Sequence, residues 1–395
     1  MNDYVFSRHL LPDTAEVDDG HLVVGGCNVA DLAREFGTPL FVYDEEHLRS
    51  RCREAVSAFG PDVAYASKAF LCTAMARLVH EEGMTIDVST GGELYVALHA
   101  GVPPERIVFH GNNKSPAEIE MALEHGVGRI VVDSWDEIDR IEALVASGAD
   151  APSVLLRINP GIEAHTHEYL QTGVTDSKFG FPLADGIAQA AIDRVRSSAS
   201  MDFIGVHAHI GSQVFDVSSF GKAIDALAPF VKGSGATEFS IGGGLGVAYV
   251  EGEESGSISA WATQVHEAVA GAGIEASVSA EPGRAIVATA AVTVYTVGTI
   301  KRVPGVRTYV AVDGGMSDNP RPVLYGSGYE AISVTDVDAP RTEAVRIVGK
   351  HCESGDIIVR DARVPESLVV GGLLATPVTG AYGHSMGSNY NKVLR

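Results

Sequence analysis

Cysteine is scarce in this chain of 395 residues, which contains four: Cys27, Cys52, Cys72 and Cys352. No two of them form a C-x-x-C pair and their spacing is irregular, which argues against a disulfide framework or a zinc ribbon and favours a reducing compartment. The chain also lacks a run of about 18 or more apolar residues, and residues 1–20 lack the apolar core of a signal peptide. We therefore predict a cytoplasmic protein without a membrane span.

Positive charge is also scarce. Lys and Arg total 29 against 51 Asp and Glu, which gives a formal net charge of −22. Such a surface repels nucleic acids and anionic membranes, so neither is predicted as a partner. Apolar residues make up 45% of the chain, enough to bury a sizeable core. Any anion-binding site must be built locally, from individual arginines and backbone groups.

Eight short β-rich runs alternate with helix-like segments between about residues 60 and 290. Strand alternating with helix indicates parallel βαβ units, and eight such units match a (β/α)8 TIM barrel. A doubly wound open sheet is the alternative, but no G-x-G-x-x-G opens the first unit. We predict the barrel over residues 37–289. The runs are DVAYASKA, MTIDVST, RIVFHGN, GRIVVDS, SVLLRINP, FIGVHAHIGS, EFSIGGG and SVSAEPGR.

After about residue 290 the helical segments nearly vanish. The β runs AVTVYTVGTIKRV, RTYVAVDGG, AVRIVGKHC, DIIVRD and SLVVGGLLATPV follow one another with turns between them. This pattern predicts an antiparallel sheet or small β-barrel made of residues 290–395 and 1–36, which the N-terminal strand HLVVGG joins.

In a TIM barrel the chemistry lies at the carboxyl ends of the strands. Strand one ends in YASKAF, where Lys68 stands among apolar residues. Partial desolvation would lower the pKa of this amine and suit it to Schiff-base chemistry. Taken alone, Lys68 is better interpreted as a solvated loop lysine.

Strand six ends in HAHIGSQ, where His207 and His209 alternate and share one face. They could form a metal pair, but no third ligand follows at metal spacing, so no metal is predicted. An imidazole stacked on a planar ligand is the other use, with Ser212 and the backbone of Gly211 available to an anion.

Strands seven and eight end in IGGGLG and EPGR. The loops after these strands form the usual phosphate site of the barrel, and Gly243 and Gly244 let the backbone approach an anion. Arg284 adds a positive charge, and Glu281 is a carboxylate at the barrel mouth. Each is also consistent with turn formation. Together with Lys68, these groups describe a site for pyridoxal 5'-phosphate.

At this point the sequence resembles the pyridoxal-phosphate-dependent decarboxylases with an alanine-racemase-like barrel. The similarity runs from GTPLFVYD to GAYGHSMGSNYN. It rests on the motifs YASKA, HGNNKS, HTHEYLQTG, HIGSQ, GGGLG, EPGR, DNPRPVLY, HCESGD and GAYGHSM. The resemblance implies that Lys68 holds the cofactor aldehyde, His209 stacks on the ring and Glu281 contacts the ring nitrogen. It assigns the phosphate to Ser212, Gly244, Gly283 and Arg284.

The resemblance also assigns residues of the C-terminal region. Tyr382 would reach both cofactor and substrate, and Arg321 and Tyr325 would bind a substrate carboxylate with help from Arg284. Cys352 would donate a proton, and Glu353 would recognise the distal end of the substrate. In this family the C-terminal domain of one subunit completes the site of another, so a homodimer is implied.

The expected reaction is decarboxylation of meso-2,6-diaminopimelate to L-lysine and CO2, the last step of lysine biosynthesis. This substrate has an amino acid group at each end, so a site that reads its far end needs charges of both signs. Arginines and Glu353 supply them, whereas ornithine or arginine needs no distal carboxylate reader. The rivals are a decarboxylase for ornithine, lysine, carboxynorspermidine or a carrier-bound amino acid, a racemase, and a non-catalytic cofactor carrier.

Overall fold

The computed structural model describes residues 6–161 and 176–394 and divides into two compact units. The barrel unit comprises Arg51–Gly246 and Gly256–Ala285. The β unit comprises the chain up to Ser50, Val247–Ser255 and the chain from Ile286 on. The predicted division lay at 36/37 and 289/290, and the motif HTHEYLQTG lies outside the described residues.

The N-terminal segment begins the β unit. Strands β1 (Glu16–Asp18), β2 (His21–Val24) and β3 (Cys27–Asn28) form a small antiparallel sheet, followed by α1 (Val29–Phe36), β4 (Leu40–Tyr43) and α2 (Glu45–Phe59). The predicted strand HLVVGG is β2, within this small sheet. It is β4 that joins the larger C-terminal sheet, where it pairs antiparallel with Ala291–Val294. That pairing places residues 37–50 in the β unit.

Eight parallel strands form the barrel, and all eight predicted runs contain one of them. The eight strands lie side by side in chain order around the sheet. Ala64 N donates to Ala280 O at 2.9 Å and Ala66 N to Pro282 O at 3.2 Å, which joins the last strand to the first. The strands are β5 (Ala64–Ala66), β6 (Thr85–Val88), β7 (Ile107–Phe109), β8 (Arg129–Val132), β9 (Ser153–Asn159), β11 (Asp202–His207), β12 (Glu238–Ser240) and β13 (Ser277–Ser279), with a short β10 (Phe181–Pro182) beside β9.

Helices alternate with these strands, and local sequence sets their ends. In α5 the Ser115 side chain accepts from Glu118 N while Glu118 returns a bond to the Ser115 backbone, and Gly126 ends the helix in the left-handed conformation. The helices are α3 (Thr73–Glu81), α4 (Gly91–His99), α5 (Pro116–His125), α6 (Trp135–Ala146), α7 (Ile187–Ser197), α8 (Ser218–Ser234), α9 (Ile258–Ala272) and α10 (Arg284–Val287). No helix of the described chain has both the length and the hydropathy for crossing a membrane.

The remainder of the β unit forms a sheet where one was predicted, but the sheet is mixed rather than antiparallel, because residues 308–311 pair parallel with residues 345–348. Its strand order is β16-β19-β14-β15-β17-β18, and every predicted run forms one of these strands. The elements are β14 (Ala291–Val303), β15 (Arg307–Val312), α11 (Arg321–Tyr325), β16 (Ile332–Ser333), β17 (Glu343–Val348), β18 (Ile357–Val364) and β19 (Leu373–Pro377). The predicted fold class, a TIM barrel with a second β domain, is confirmed.

A buried ion pair anchors the loop that follows β7. Lys114 Nζ donates to Glu137 Oε1 at 2.6 Å, to Val131 O at 2.7 Å and to Gly111 O at 2.9 Å. The two side chains are only 1% and 2% exposed. The other oxygen of Glu137 accepts from Asp133 N at 3.0 Å. The pair therefore joins the loop to β8 and α6 with every charge satisfied.

Removing one member of this pair leaves a charge buried without its partner. We expect Lys114→Met to lower the free energy of unfolding by about 3–5 kcal/mol. The double variant Lys114→Met/Glu137→Leu should recover part of that loss, because no uncompensated charge remains. Urea unfolding followed by circular dichroism measures both.

The matched control is Arg194→Ala, which breaks exposed contacts to Asp139 and Glu142. Such surface pairs contribute about 0–1 kcal/mol. A Lys114→Met variant as stable as Arg194→Ala would show that the buried pair stabilises nothing.

Candidate active site

Lys68 follows β5 directly, in the one-turn segment Ser67–Ala69. The side chain lines a cavity of about 420 Å³ together with Asp87, His110, His209 and Glu281. Its neighbours Ser67 and Ala69 are buried, but Lys68 itself is exposed. The apolar setting predicted for this amine is therefore not found; the amine stands in an open cavity lined by polar groups.

Glycines bring the chain close together at the ends of β12 and β13. A Cβ atom on Gly243 would lie 2.1 Å from Glu281 O, and one on Gly244 would lie 2.1 Å from Gly211 O. Gly244 also has φ of 118°, a conformation that side chains disfavour. A Cβ on Gly283 would lie 2.9 Å from Ala66. Any side chain at these positions would displace backbone, so the packing itself requires glycine at each of the three.

Ser212 and Arg284 meet beside these glycines. Arg284 Nη2 donates to Ser212 Oγ at 2.8 Å, and the arginine is buried while the serine is half-buried. A guanidinium, a hydroxyl and glycine backbone at the ends of neighbouring strands are the donor set that a phosphate group uses. The predicted phosphate residues therefore come together within the barrel unit.

Glu281 has a close polar contact at each of its carboxylate oxygens. Its Oε1 accepts from Ser240 Oγ at 2.7 Å, and its Oε2 lies 3.1 Å from His207 Nε2. His110 Nε2 is 3.4 Å from Oε1. Burial alone would raise the pKa of Glu281, but the charges of His207 and His110 and the two hydrogen bonds hold that pKa well below its usual value. Glu281 is therefore ionised at neutral pH.

Asp87 shows the opposite behaviour in the same cavity. Burial raises its pKa well above the usual value, and the negative charge of Glu281 adds to the effect. Two carboxylates that face one cavity thus have pKa values shifted in opposite directions, that of Glu281 downward and that of Asp87 upward.

His209 is oriented by the glycine segment. Gly243 N donates to His209 Nδ1 at 3.1 Å, so the ring carries its proton on Nε2. Burial lowers the pKa of His209 well below its ordinary value, with the charge of Lys68 adding to it. The result is a neutral imidazole held at the cavity wall, as a ring that stacks on a planar ligand requires.

His207 and His209 therefore act separately, one toward Glu281 and the other toward Gly243. The ligand atoms of His110, His207 and Glu281 lie within 4.8 Å of one another, close enough for a metal ion. Both oxygens of Glu281 are already engaged by Ser240 and His207, and these contacts account for the cluster.

Sequence reasoning missed three ionisable residues of the cavity: Asp87, His110 and Arg157. Arg157 is buried, lies 3.5 Å from Asp133 and packs over the Phe179 ring at 4.3 Å. Each interrupts or follows an apolar strand run near its carboxyl end, in MTIDVST, RIVFHGN and SVLLRINP. A charged or imidazole side chain at such a point was the available signal.

The segment that holds Cys352 and Glu353 is a tight turn of the β unit. Asp356 accepts from His351 N at 2.9 Å and from Met316 N at 2.7 Å, so the turn is anchored at its base. Cys352 and Glu353 are both exposed. The hydroxyl of Tyr390 donates to Glu353 Oε1.

Arg321, predicted to bind a substrate carboxylate, is a buried residue. It is 3% exposed, donates to Tyr329 Oη at 2.9 Å and Ser327 Oγ at 3.1 Å, and packs over the Tyr249 ring at 4.2 Å. Its buried Nε has no hydrogen-bond partner among the described residues. Tyr325 ends the same short helix and is half-buried.

Tyr382 lies in a constrained segment of the β unit. Its φ of 59° is unusual for a residue with a side chain. The preceding Gly380 donates to Ala288 O at 3.1 Å and accepts from Tyr43 Oη at 3.0 Å. A Cβ on Gly380 would lie 1.8 Å from Val287 O. This packing fixes the backbone position from which the half-buried Tyr382 side chain extends.

The barrel unit fits pyridoxal phosphate on its own residues. Lys68, Glu281 and His209 line one cavity, and the phosphate donor set adjoins it through the bond from Gly243 N to His209 Nδ1. These are the groups that the aldehyde, ring nitrogen, ring face and phosphate of the cofactor need.

Comparison with known proteins agrees. Residues 45–288 match the family model of the pyridoxal-dependent decarboxylase, pyridoxal binding domain. A diaminopimelate decarboxylase of Bacillus subtilis is 46% identical, over 95% of this chain and 89% of its own. That of Mycobacterium tuberculosis is 45% identical, over 98% and 92%.

Solved structures agree as well. The crystal structure of diaminopimelate decarboxylase from M. jannaschii, in complex with L-lysine, superposes with a TM-score of 0.89 at 34% identity, over 96% of this chain and 91% of the other. The predicted cofactor, carboxy-lyase activity and reaction are confirmed. The chain belongs to the pyridoxal-dependent decarboxylases and, within them, to the diaminopimelate decarboxylases.

Proposed function

We propose that the rim of the barrel unit binds pyridoxal phosphate through Lys68 and that the β unit of a second subunit supplies Cys352 and Glu353 to the same site. The observation that carries the first part is the convergence of Lys68, Glu281 and His209 on one cavity of the barrel unit. The second part rests on the resemblance in HCESGD and on the exposure of both side chains.

Each group of the rim has one task in this proposal. Lys68 Nζ attaches the cofactor and later takes part in product release. Ser212, Gly243, Gly244, Gly283 and Arg284 bind its phosphate. The neutral His209 stacks on the cofactor ring. Because its imidazole is uncharged, it does not repel the protonated ring.

When bound, pyridoxal phosphate supplies a protonated ring that accepts the electron pair left at the α-carbon as CO2 departs. Glu281 keeps the proton on the ring nitrogen, because its ionised carboxylate favours a positive partner. Cys352 Sγ then delivers a proton to the α-carbon as general acid.

The substrate is read at both ends. Arg321, with Tyr325, Tyr382 and Arg284, serves the substrate carboxylate, and the free Nε donor of Arg321 supports that role. Glu353 pairs with the distal ammonium group. A site that leaves its own charges unpaired with a shorter substrate discriminates strongly against it.

The protein is proposed to work as a cytoplasmic homodimer with shared sites. All four cysteines are free thiols, which suits a reducing compartment. Cys352 and Glu353 are both exposed and are therefore accessible to a second subunit.

Removing the Lys68 amine should abolish covalent cofactor attachment. In Lys68→Ala we expect no cofactor to be fixed by borohydride and no CO2 release above background, since no other amine replaces the nucleophile. Absorbance of the bound cofactor and peptide mass after reduction are the measurements. Lys222→Ala, which removes an exposed lysine of α8, should retain both. Label on a different lysine would refute the assignment.

The shared site is tested by mixing two inactive variants. Cys352→Ala should keep the cofactor and slow turnover about 10²–10⁴-fold, the range for loss of a general acid. Mixed with Lys68→Ala under conditions of subunit exchange, it should recover about one quarter of wild-type activity, because half of the dimers then hold one intact site. A mixture no more active than its components would rule out sharing.

A further inference from the structure

Protein donors already occupy both oxygens of Glu281. Ser240 Oγ binds Oε1 and His207 Nε2 binds Oε2, while the Glu281 side chain is 9% exposed. A carboxylate with one donor on each oxygen cannot rotate without breaking a buried hydrogen bond. Its direction is therefore set before any ligand arrives.

The His207 ring is itself held in place. Its side chain is 2% exposed, and the His110 ring packs against it edge-on, with centroids 4.9 Å apart at 71°. Its Nδ1 has no hydrogen-bond partner among the described residues. The single polar contact of this ring thus runs from Nε2 to Glu281, which makes the imidazole N–H a dedicated donor to the carboxylate.

The surroundings would otherwise oppose an ionised Glu281. The group is buried, and Asp87 competes for negative charge in the same cavity. Arg157 and Lys68 line this cavity as well. Ser240 and His207 contact the two oxygens of Glu281 at 2.7 Å and 3.1 Å, and His110 lies 3.4 Å away.

We propose that His207 and Ser240 are positioning residues that hold the Glu281 carboxylate ionised and aimed at the cofactor ring nitrogen, and that His110 braces His207. This rests on the proposed role of Glu281. Neither His207 nor Ser240 contacts the reacting atoms; each acts through the carboxylate.

The test uses apoenzyme and two ligands: pyridoxal phosphate and its carbocyclic analogue with C–H in place of the ring nitrogen. An ionised Glu281 stabilises the protonated ring nitrogen of pyridoxal phosphate. In the analogue it faces a C–H group and gains no such interaction. Their dissociation constants, measured by fluorescence titration, give a preference ratio that reports on the carboxylate. General loosening of the barrel lowers both affinities and leaves this ratio unchanged.

We expect His207→Leu to reduce the preference for pyridoxal phosphate about tenfold or more, the effect of one hydrogen bond to a charged group. His207→Gln retains an N–H donor and should keep most of the preference. Ser240→Ala should reduce it as well, which keeps the test available if His207→Leu does not fold. Thr85→Val, a buried change on β6 whose hydroxyl bonds Val63 O, should leave the ratio unchanged.

An unchanged ratio in both His207→Leu and Ser240→Ala would overturn the inference and leave these residues a packing role. Absence of any preference in the wild-type apoenzyme would instead overturn the proposed contact of Glu281 with the ring nitrogen, and the inference with it.

Discussion

Closure of the barrel is the constraint on which the rest of the site depends. Two backbone hydrogen bonds, Ala64 N to Ala280 O and Ala66 N to Pro282 O, join the last strand to the first. They bring the segment that carries Lys68 against Gly283, where no Cβ fits. An open sheet would leave the amine and the phosphate donors at opposite edges.

The second consequence of closure is electrostatic. A chain with a formal net charge of −22 must bind an anionic cofactor, and the local groups proposed to bind its phosphate are the Arg284–Ser212 pair and glycine backbone. In the same cavity the pKa of Glu281 is lowered while that of Asp87 is raised. Burial raises both pKa values, but for Glu281 it is outweighed by the charges of His207 and His110 and by the hydrogen bonds from His207 and Ser240.

Much of this could be predicted from the sequence, because strand ends in a parallel barrel meet at one rim whatever their separation along the chain. That rule predicts Lys68, His209, Ser212 and Glu281 at the strand ends, where the structure has them. Helix-ending glycines and β-rich runs likewise gave all eight barrel strands and the C-terminal sheet.

Other features could not be predicted, because they depend on packing that no local pattern encodes. The strand Leu40–Tyr43 reads like a barrel element but pairs with Ala291–Val294. The burial of Arg321 against the Tyr249 ring and its bond to Tyr329 are likewise invisible in the motif that contains it. The division of labour between His207 and His209 also depends on which neighbours the closed barrel brings to each ring.

The central claim is that one site releases CO2 from a substrate whose far end it reads with charges of both signs. The most direct measurement is a substrate panel on the purified protein with cofactor, with products identified by mass spectrometry. The account predicts L-lysine and CO2 from meso-2,6-diaminopimelate and no diamine from L-lysine or L-ornithine. Comparable turnover of L-lysine or L-ornithine would contradict it.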